Sequence, residues 1–111
     1  MMKILTIIVS YNFEKWISRC LNSLKASSHP TDIIVIDNCS KDRTVEIIQK
    51  EYPQVRLIVN KANLGFGRAN NIGMQIAMKE GYDAVFLLNQ DAWIGNDTLA
   101  VLAAQAVRHP E

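Results

Sequence analysis

Residues 33–38 read Ile-Ile-Val-Ile-Asp-Asn, so four consecutive β-branched side chains are followed at once by two polar ones. An apolar run of this kind, without alternation, predicts a short strand covered on both faces, as in a parallel sheet. Three more aliphatic runs predict three more strands: Ile4–Val9, Val55–Val59 and Ala84–Leu88. The first, second and fourth strands are apolar almost throughout, whereas Arg56 interrupts the third and predicts an edge position.

Segments with helical spacing lie between these strands. The first carries an apolar stripe of Trp16, Ile17, Cys20, Leu21 and Leu24. The second is predicted to begin at a Ser40 cap and end at Pro53, with a stripe of Val45, Ile48 and Tyr52. The third follows Gly65 and stops at Gly81, with a stripe of Ala69, Ile72, Ile76 and Ala77. A fourth begins near Asn96 or Asp97 and carries Leu99, Leu102, Ala103 and Ala106. Four strand–helix units in succession predict an α/β fold with a doubly wound, mainly parallel sheet and flanking helices.

Composition narrows the class of protein. At 111 residues and 49% hydrophobic, the chain is long enough for one domain, and its net charge of +1 argues against nucleic acid as the partner. Cys20 and Cys39 form no CxxC pair and have no histidine ligands nearby, which excludes the common zinc and disulfide frameworks and favours a reduced, cytoplasmic setting. The apolar opening is too short for a signal peptide or a membrane span. His29 and His109 stand beside prolines and are predicted to be loop residues.

Polar side chains follow every predicted strand, and ligands of doubly wound sheets bind at those carboxyl ends. Turn chemistry by itself favours Asn and Asp in such places, but four polar ends converging on one crevice favour a binding site. The first strand runs into Ser10 to Lys15 without a glycine or an acidic pair, which argues against a dinucleotide enzyme and a phosphoacceptor domain. The four ends are Ser10-Tyr11-Asn12, Asp37-Asn38, Asn60 to Asn63 and Asn89-Gln90-Asp91.

These segments, in this order and at these spacings, resemble the inverting family-2 glycosyltransferases of the GT-A fold, especially the bacterial rhamnosyltransferase-like members. The resemblance covers essentially the whole chain. It implies transfer of a sugar from a nucleoside-diphosphate sugar to an acceptor hydroxyl on a glycan or a lipid-linked sugar, in cell-surface polysaccharide synthesis. It also implies a divalent cofactor, Mg²⁺ or Mn²⁺, and a protein of the cytoplasm or the inner face of the membrane. The matching segments are 6–12, 34–42, 63–71 and 87–91.

The resemblance also assigns nucleotide-binding residues, beginning with the end of the first strand, where Ser10 and Tyr11 stand. Tyr11 would stack on the base, although a tyrosine packed at a strand end is the alternative. Asp37 would accept a hydrogen bond from a base imide N–H, which favours UDP-, dTDP- or GDP-linked donors, and a role in capping the turn after it is compatible with this. Asn63 would hold its loop and Gly65 would relieve crowding. Arg68 would face the base or the phosphates, with a solvated surface charge as its alternative.

Asp91 matches the last acid of the family's Asp-x-Asp motif, which holds the metal ion against the donor diphosphate. Asn89 replaces the first acid, and as a nucleotide-binding residue its amide would bind the ribose or a metal-bound water. Because one charge is lost, the resemblance implies that the metal binds mainly together with the nucleotide. No catalytic base can be assigned, because in this fold the base comes from chain beyond the fourth helix.

Residues 1–111 are therefore expected to be the nucleotide-sugar-binding portion of a glycosyltransferase domain, truncated before its acceptor-binding part. An incomplete sheet would expose apolar surface, which predicts self-association into a homo-oligomer. A nucleotidyltransferase and a noncatalytic nucleotide-binding module are the alternatives, and the lack of a glycine-rich basic loop after the first strand argues against the former.

Overall fold

The computed structural model describes residues 2–95. Within them, four parallel strands form one sheet in the order β3-β2-β1-β4. The strands are β1 (Ile4–Ser10), β2 (Asp32–Asp37), β3 (Arg56–Val59) and β4 (Ala84–Leu87). The helices that connect them are α1 (Ile17–Lys25), α2 (Thr44–Glu51) and α3 (Phe66–Lys79). The predicted α/β fold with a parallel sheet is confirmed, while the predicted fourth helix and His109 lie outside the described residues.

The strand order places a topological switch point between β1 and β4. From β1 the chain moves outward to β2 and β3, and then returns across the sheet to form β4 on the other side of β1. The residues that follow β1 and β4 therefore leave the sheet next to each other. In doubly wound sheets this is where the ligand crevice opens.

Both faces of the central strands are buried, as their composition predicted. On one face, a cluster that includes Ile8 and Val35 packs under α1 and α2, and on the other face Ile7 and Ile36 pack under α3. The prediction of a fully buried fourth strand is wrong for the described part of the chain, since Val85 is 38% and Leu87 is 47% exposed. The reason is position: within residues 2–95, β4 pairs only with β1 and forms an edge.

The helix starts also differ from the predictions. Trp16 precedes α1 and is 37% exposed, so it does not belong to the buried stripe. Helix α2 begins at Thr44, because Ser40 is held by Asp37 and the carboxylate of Asp42 accepts the backbone N–H of Thr44 at 2.9 Å.

Other features of the fold agree with the sequence. Strand β3 is an edge strand of the described sheet, and its Arg56 forms an ion pair with Glu80 at 2.8 Å. Cys20 and Cys39 are both free thiols, and His29 lies in the loop before β2, where it is buried. None of the helices within residues 2–95 has the length and apolar character needed to cross a membrane.

Candidate functional site

A cavity of about 330 Å³ opens at the carboxyl ends of the strands, at the switch point between β1 and β4. Its volume lies within the usual range for small-molecule sites. Four of the predicted site residues line it, namely Tyr11, Asn63, Asn89 and Asp91. Ser10, Asp37, Gly65 and Arg68 do not line it. Four further residues complete the wall: Val9, Asn38, Phe66 and Gln90. Asn38 and Gln90 belong to the predicted polar strand ends but were given no role of their own, whereas Val9 and Phe66 were not predicted.

Tyr11 is the first residue after β1, and its side chain is 39% exposed at the cavity. Its backbone is held from the other side of the switch point by Gln90. The Tyr11 N–H donates to Oε1 of Gln90 at 2.9 Å, and Nε2 of Gln90 donates to the Tyr11 carbonyl oxygen at 3.1 Å. The phenol ring is therefore presented on a fixed backbone with its surface accessible to a ligand.

Asp37 and Ser10 lie fully buried behind the cavity wall. One carboxylate oxygen of Asp37 accepts the Ser10 hydroxyl at 2.7 Å and the Ser40 hydroxyl, and the other accepts the Ser40 backbone N–H at 2.8 Å. The carboxylate thus caps the turn after β2, which is the structural role predicted for it. Its contact with a nucleotide base stays a prediction.

Asn38 lines the cavity, and the sequence placed it in the polar end of β2 without assigning it a role in nucleotide binding. Its Oδ1 accepts hydrogen bonds from Asn60 Nδ2 at 3.0 Å and the Leu64 N–H at 3.3 Å, and its Nδ2 donates to the Gly65 carbonyl at 3.2 Å. These contacts use the amide oxygen and one of the two amide hydrogens, and they hold Asn38 in place with 2% of its surface exposed. One signal in the sequence could have placed Asn38 at the cavity. Side chains of successive residues in a strand point to opposite faces, so Asp37 and Asn38 could not both turn the same way.

The loop before α3 forms a third part of the wall. The Asn63 side chain accepts the Gly65 N–H at 2.9 Å, which confirms that Asn63 holds its loop. Gly65 has a φ of 85°, a conformation that favours glycine, and the next residue, Phe66, stands 58% exposed at the cavity. Arg68 is exposed in the first turn of α3 and away from the cavity lining, so its contact with the ligand stays a prediction.

Two loops next to the cavity are joined by reciprocal hydrogen bonds, in which side chains of each loop cap backbone N–H groups of the other. The Asn12 N–H donates to Ser40 Oγ at 2.9 Å and the Lys41 N–H donates to Asn12 Oδ1 at 2.8 Å. The Glu14 N–H likewise donates to Asp42 at 3.1 Å. Burial raises the pKa of Asp42, but hydrogen bonds from Thr44 and Glu14 outweigh it and lower the pKa overall. These bonds fix the loops that carry Tyr11 and Asn38.

Asp91 and Asn89 bring a carboxylate and an amide to the same side of the cavity. Both are oxygen ligands of the kind that Mg²⁺ and Mn²⁺ prefer. No cluster of three or more His, Cys, Asp or Glu side chains suited to a metal occurs within residues 2–95. The donor set therefore fits a cation that takes its remaining ligands from a diphosphate and water, as Mg²⁺ commonly does.

The segment after Asp91 is anchored on α1. The Ile94 N–H donates to Ser23 Oγ at 3.1 Å, and the Arg19 guanidinium lies 4.4 Å from the centre of the Trp93 ring. Beneath this segment, burial and the charge of Asp91 raise the pKa of the Cys20 thiol to about 12, so Cys20 stays protonated and is a poor metal ligand.

The cavity at the switch point of this parallel sheet brings together an accessible aromatic ring, several fixed amides and one carboxylate. These groups define an α/β domain whose cavity suits a small polar ligand. The chain belongs to glycosyl transferase family 2, because that family's model matches residues 6–111. The family resemblance found in the sequence is thereby confirmed.

Curated relatives and solved structures agree with this family. The chain is 33% identical over 98% of its length to poly(ribitol-phosphate) beta-N-acetylglucosaminyltransferase TarS of Staphylococcus aureus, and spans 20% of that protein. It is 32% identical over 94% of its length to N-acetylglucosaminyl-diphospho-decaprenol L-rhamnosyltransferase of Mycobacterium tuberculosis, and spans 37% of it. The chain thus covers well under half the length of either relative.

Among solved structures, S. aureus TarS 1–349 in complex with UDP matches with a TM-score of 0.83 and 28% identity over 97% of this chain and 33% of that one. The mannosyltransferase PcManGT from Pyrobaculum calidifontis, in complex with GDP-Man and Mn²⁺, matches with a TM-score of 0.82, 97% of this chain and 33% of that one. Because its identity is 19%, this second match supports the GT-A fold alone.

Proposed function

We propose that this chain is the donor-binding portion of a glycosyltransferase that moves a sugar from a nucleoside-diphosphate sugar to an acceptor hydroxyl in cell-surface polysaccharide synthesis. The observation that carries the proposal is the cavity in which Tyr11, Asn38, Asn89 and Asp91 meet at the switch point. The likeness to TarS, which has been solved with UDP and with UDP-GlcNAc, supports a nucleotide sugar as the ligand.

The side of the cavity formed after β1 and β2 suits the nucleoside. The Tyr11 ring offers a flat surface for stacking, and the remaining amide hydrogen of Asn38 can donate to a carbonyl oxygen of the base. Cytosine carries such an oxygen as well, so this contact does not select the base. The expected preference for UDP-, dTDP- or GDP-linked donors rests on the imide N–H, which uracil, thymine and guanine have and cytosine lacks, and which the family resemblance pairs with Asp37.

The side formed after β4 suits the diphosphate. Asp91 and Asn89 would hold a Mg²⁺ or Mn²⁺ ion there, and the ion would supply positive charge beside the departing nucleoside diphosphate. Asp91 is the only carboxylate that lines the cavity within residues 2–95. A base that activates the acceptor hydroxyl, and the acceptor itself, are therefore assigned to chain beyond the described residues. We propose inversion at the anomeric carbon, a glycan or lipid-linked acceptor, and action in the cytoplasm or at the inner face of the membrane.

Thermal unfolding tests this proposal directly. The chain is heated with UDP, dTDP, GDP and CDP, each with Mn²⁺, with Mg²⁺ and with chelator. A nucleotide present at a hundred times its dissociation constant stabilises the fold by about 2.7 kcal/mol, a readily measured shift in Tm. We expect stabilisation by UDP, dTDP or GDP that is larger with the metal present.

Asp91→Asn should remove the metal-dependent part of the shift while keeping the size of the side chain. Asp83→Asn is the matched control, because Asp83 is an exposed carboxylate at the opposite end of β4. No stabilisation by any of the nucleotides, with or without metal, would contradict a donor site in this cavity.

A further inference from the structure

The Gln90 side chain satisfies both backbone groups of one residue on a different loop. Strands β1 and β4 pair in register up to Ile7 and Leu87, and a last backbone hydrogen bond joins the Leu88 N–H to the Ile7 carbonyl at 3.1 Å. Beyond this point the two backbones separate. The Gln90 amide then bridges the gap by accepting from the Tyr11 N–H at 2.9 Å and donating to the Tyr11 carbonyl at 3.1 Å.

This arrangement is specific in its chemistry. One acceptor and one donor at the end of a flexible side chain match the acceptor and donor of a single residue, as a neighbouring strand would. Tyr11 is partly exposed, so water could satisfy the same groups without ordering a long side chain. The two bonds therefore restrain where the Tyr11 backbone, and with it the ring, can lie.

The other end of the Gln90 segment is already fixed. The Ile94 N–H is hydrogen-bonded to Ser23, and the Trp93 ring lies against Arg19. Ser23 and Arg19 both belong to α1. Loss of the Gln90 amide should consequently loosen the backbone of Tyr11 itself and leave the Asp91 segment in place. The rest of the loop stays bonded to the Ser40 loop through Asn12. This asymmetry distinguishes a restraint on Tyr11 from a general support of the cavity.

We infer that Gln90 is a positioning residue that holds the Tyr11 ring in register with the Asp91 carboxylate, so that base and diphosphate are bound at the correct separation. The inference rests on the proposed function, because it assigns Tyr11 to the base and Asp91 to the metal and diphosphate. Gln90 itself acts through the Tyr11 backbone.

The first measurement needs no ligand. Amide hydrogen exchange of Tyr11 is followed by NMR in the parent chain, in Gln90→Ala and in Gln90→Met, which keeps the length of the side chain but forms neither bond. We expect the Tyr11 N–H to exchange about tenfold faster or more in both variants, since local opening no longer breaks a hydrogen bond. Gln54→Ala, at an exposed glutamine before β3, should leave the exchange unchanged.

The second measurement compares two probes, UDP with Mn²⁺ and inorganic pyrophosphate with Mn²⁺. Gln90→Ala and Gln90→Met should weaken UDP about tenfold, the effect of losing roughly one well-placed contact, and change pyrophosphate by less than about twofold. In a Tyr11→Ala background the same Gln90 substitutions should change UDP affinity by less than about twofold, because no ring remains to be positioned.

The outcomes separate the inference from the proposed function. If the parent chain binds none of UDP, dTDP and GDP, the proposed function fails, and faster Tyr11 exchange in the variants still supports the restraint. If it binds dTDP or GDP in place of UDP, that nucleotide replaces UDP as the probe. Unchanged exchange together with unchanged UDP affinity would overturn the inference while the donor site stands. Equal weakening of UDP and pyrophosphate, or losses that add in the double variant, would also overturn it by showing that Gln90 supports or contacts the ligand directly.

Discussion

Asp37 shows how a single side chain can belong to a binding loop without lining its cavity. Its carboxylate is fully buried and accepts two hydroxyls and one backbone N–H, so its charge is satisfied by the turn that it caps. A buried carboxylate is tolerated only with such partners. The hydrogen bonds thus explain both the burial of Asp37 and the shape of the loop that presents Asn38.

Replacing Asp37 should therefore affect stability first. Asp37→Ala leaves three donors without their acceptor, and since hydrogen bonds to a charged group contribute about 1.5–3 kcal/mol, we expect a loss of at least that size in the free energy of unfolding. Asp37→Asn should cost less, because the serine hydroxyls can turn to accept from the new amide.

Urea denaturation measures both variants, with Asp83→Ala as a control that loses one exposed contact with Lys3. A loss for Asp37→Ala no larger than that of the control would contradict the capping role.

Helix α3 approaches the sheet closely at Gly73. A β-carbon placed there would stand 2.8 Å from Cγ2 of Ile7, a β-branched side chain that is itself buried in β1. Because Ile7 has little freedom to move, the missing side chain sets the distance between α3 and β1. The same helix begins at the cavity with Phe66, so this packing also places one wall of the site.

Gly73→Ala should destabilise the fold although alanine is the better helix former. Overpacking of a tight core costs about 1–3 kcal/mol, and the gain in helix propensity of up to about 1 kcal/mol offsets only part of it. Gly67→Ala is the matched control, since its added β-carbon meets no atom within 4 Å. Urea denaturation should show a net loss for Gly73→Ala and little or no loss for Gly67→Ala. Equal effects of the two substitutions would show that α3 does not pack tightly on Ile7.

The proposed function assigns one half of a transfer reaction, binding of the donor, to the described part of the molecule. Its cavity has an aromatic ring, amides and a carboxylate suited to a cation, but within residues 2–95 no second carboxylate lines it. The proposed function accordingly assigns positioning of the donor and stabilisation of the leaving group to this cavity, and assigns proton removal from the acceptor to another part of the protein.

We accordingly expect residues 1–111 alone to bind donor, to hydrolyse it slowly in the presence of metal, and to form glycoside far more slowly than a complete enzyme. General-base assistance contributes about a hundredfold to ten-thousandfold, and orientation of the acceptor contributes more. Labelled UDP- and dTDP-sugars incubated with glycan and lipid-linked acceptors distinguish free sugar from glycoside. Rapid glycoside formation would show that a base and an acceptor site do lie within this chain.

Much of this architecture was predictable. The strand runs, the edge position of β3 and the entry to α3 at Gly65 follow from local composition. Tyr11, Asn63, Asn89 and Asp91 line the cavity because each follows a strand or lies in the loop after it, while their roles in nucleotide and metal binding stay predictions. The start of α2 was wrong because the Ser40 hydroxyl, which could have capped a helix, bonds Asp37 instead. Local propensity cannot weigh such competing partners.

The sequence by itself determined the succession of strands and helices along the chain, the parallel sheet and the polar strand ends. These features depend on periodicity and turn chemistry, which act between residues close along the chain. Only the tertiary structure decided that Asp37 turns inward while Asn38 faces the cavity, that Arg68 stands apart from it, and that Gln90 holds Tyr11. The last pair lies 79 positions apart in the chain. Such contacts depend on strand order and register, which arise from the packing of the whole sheet and are not encoded in any one segment.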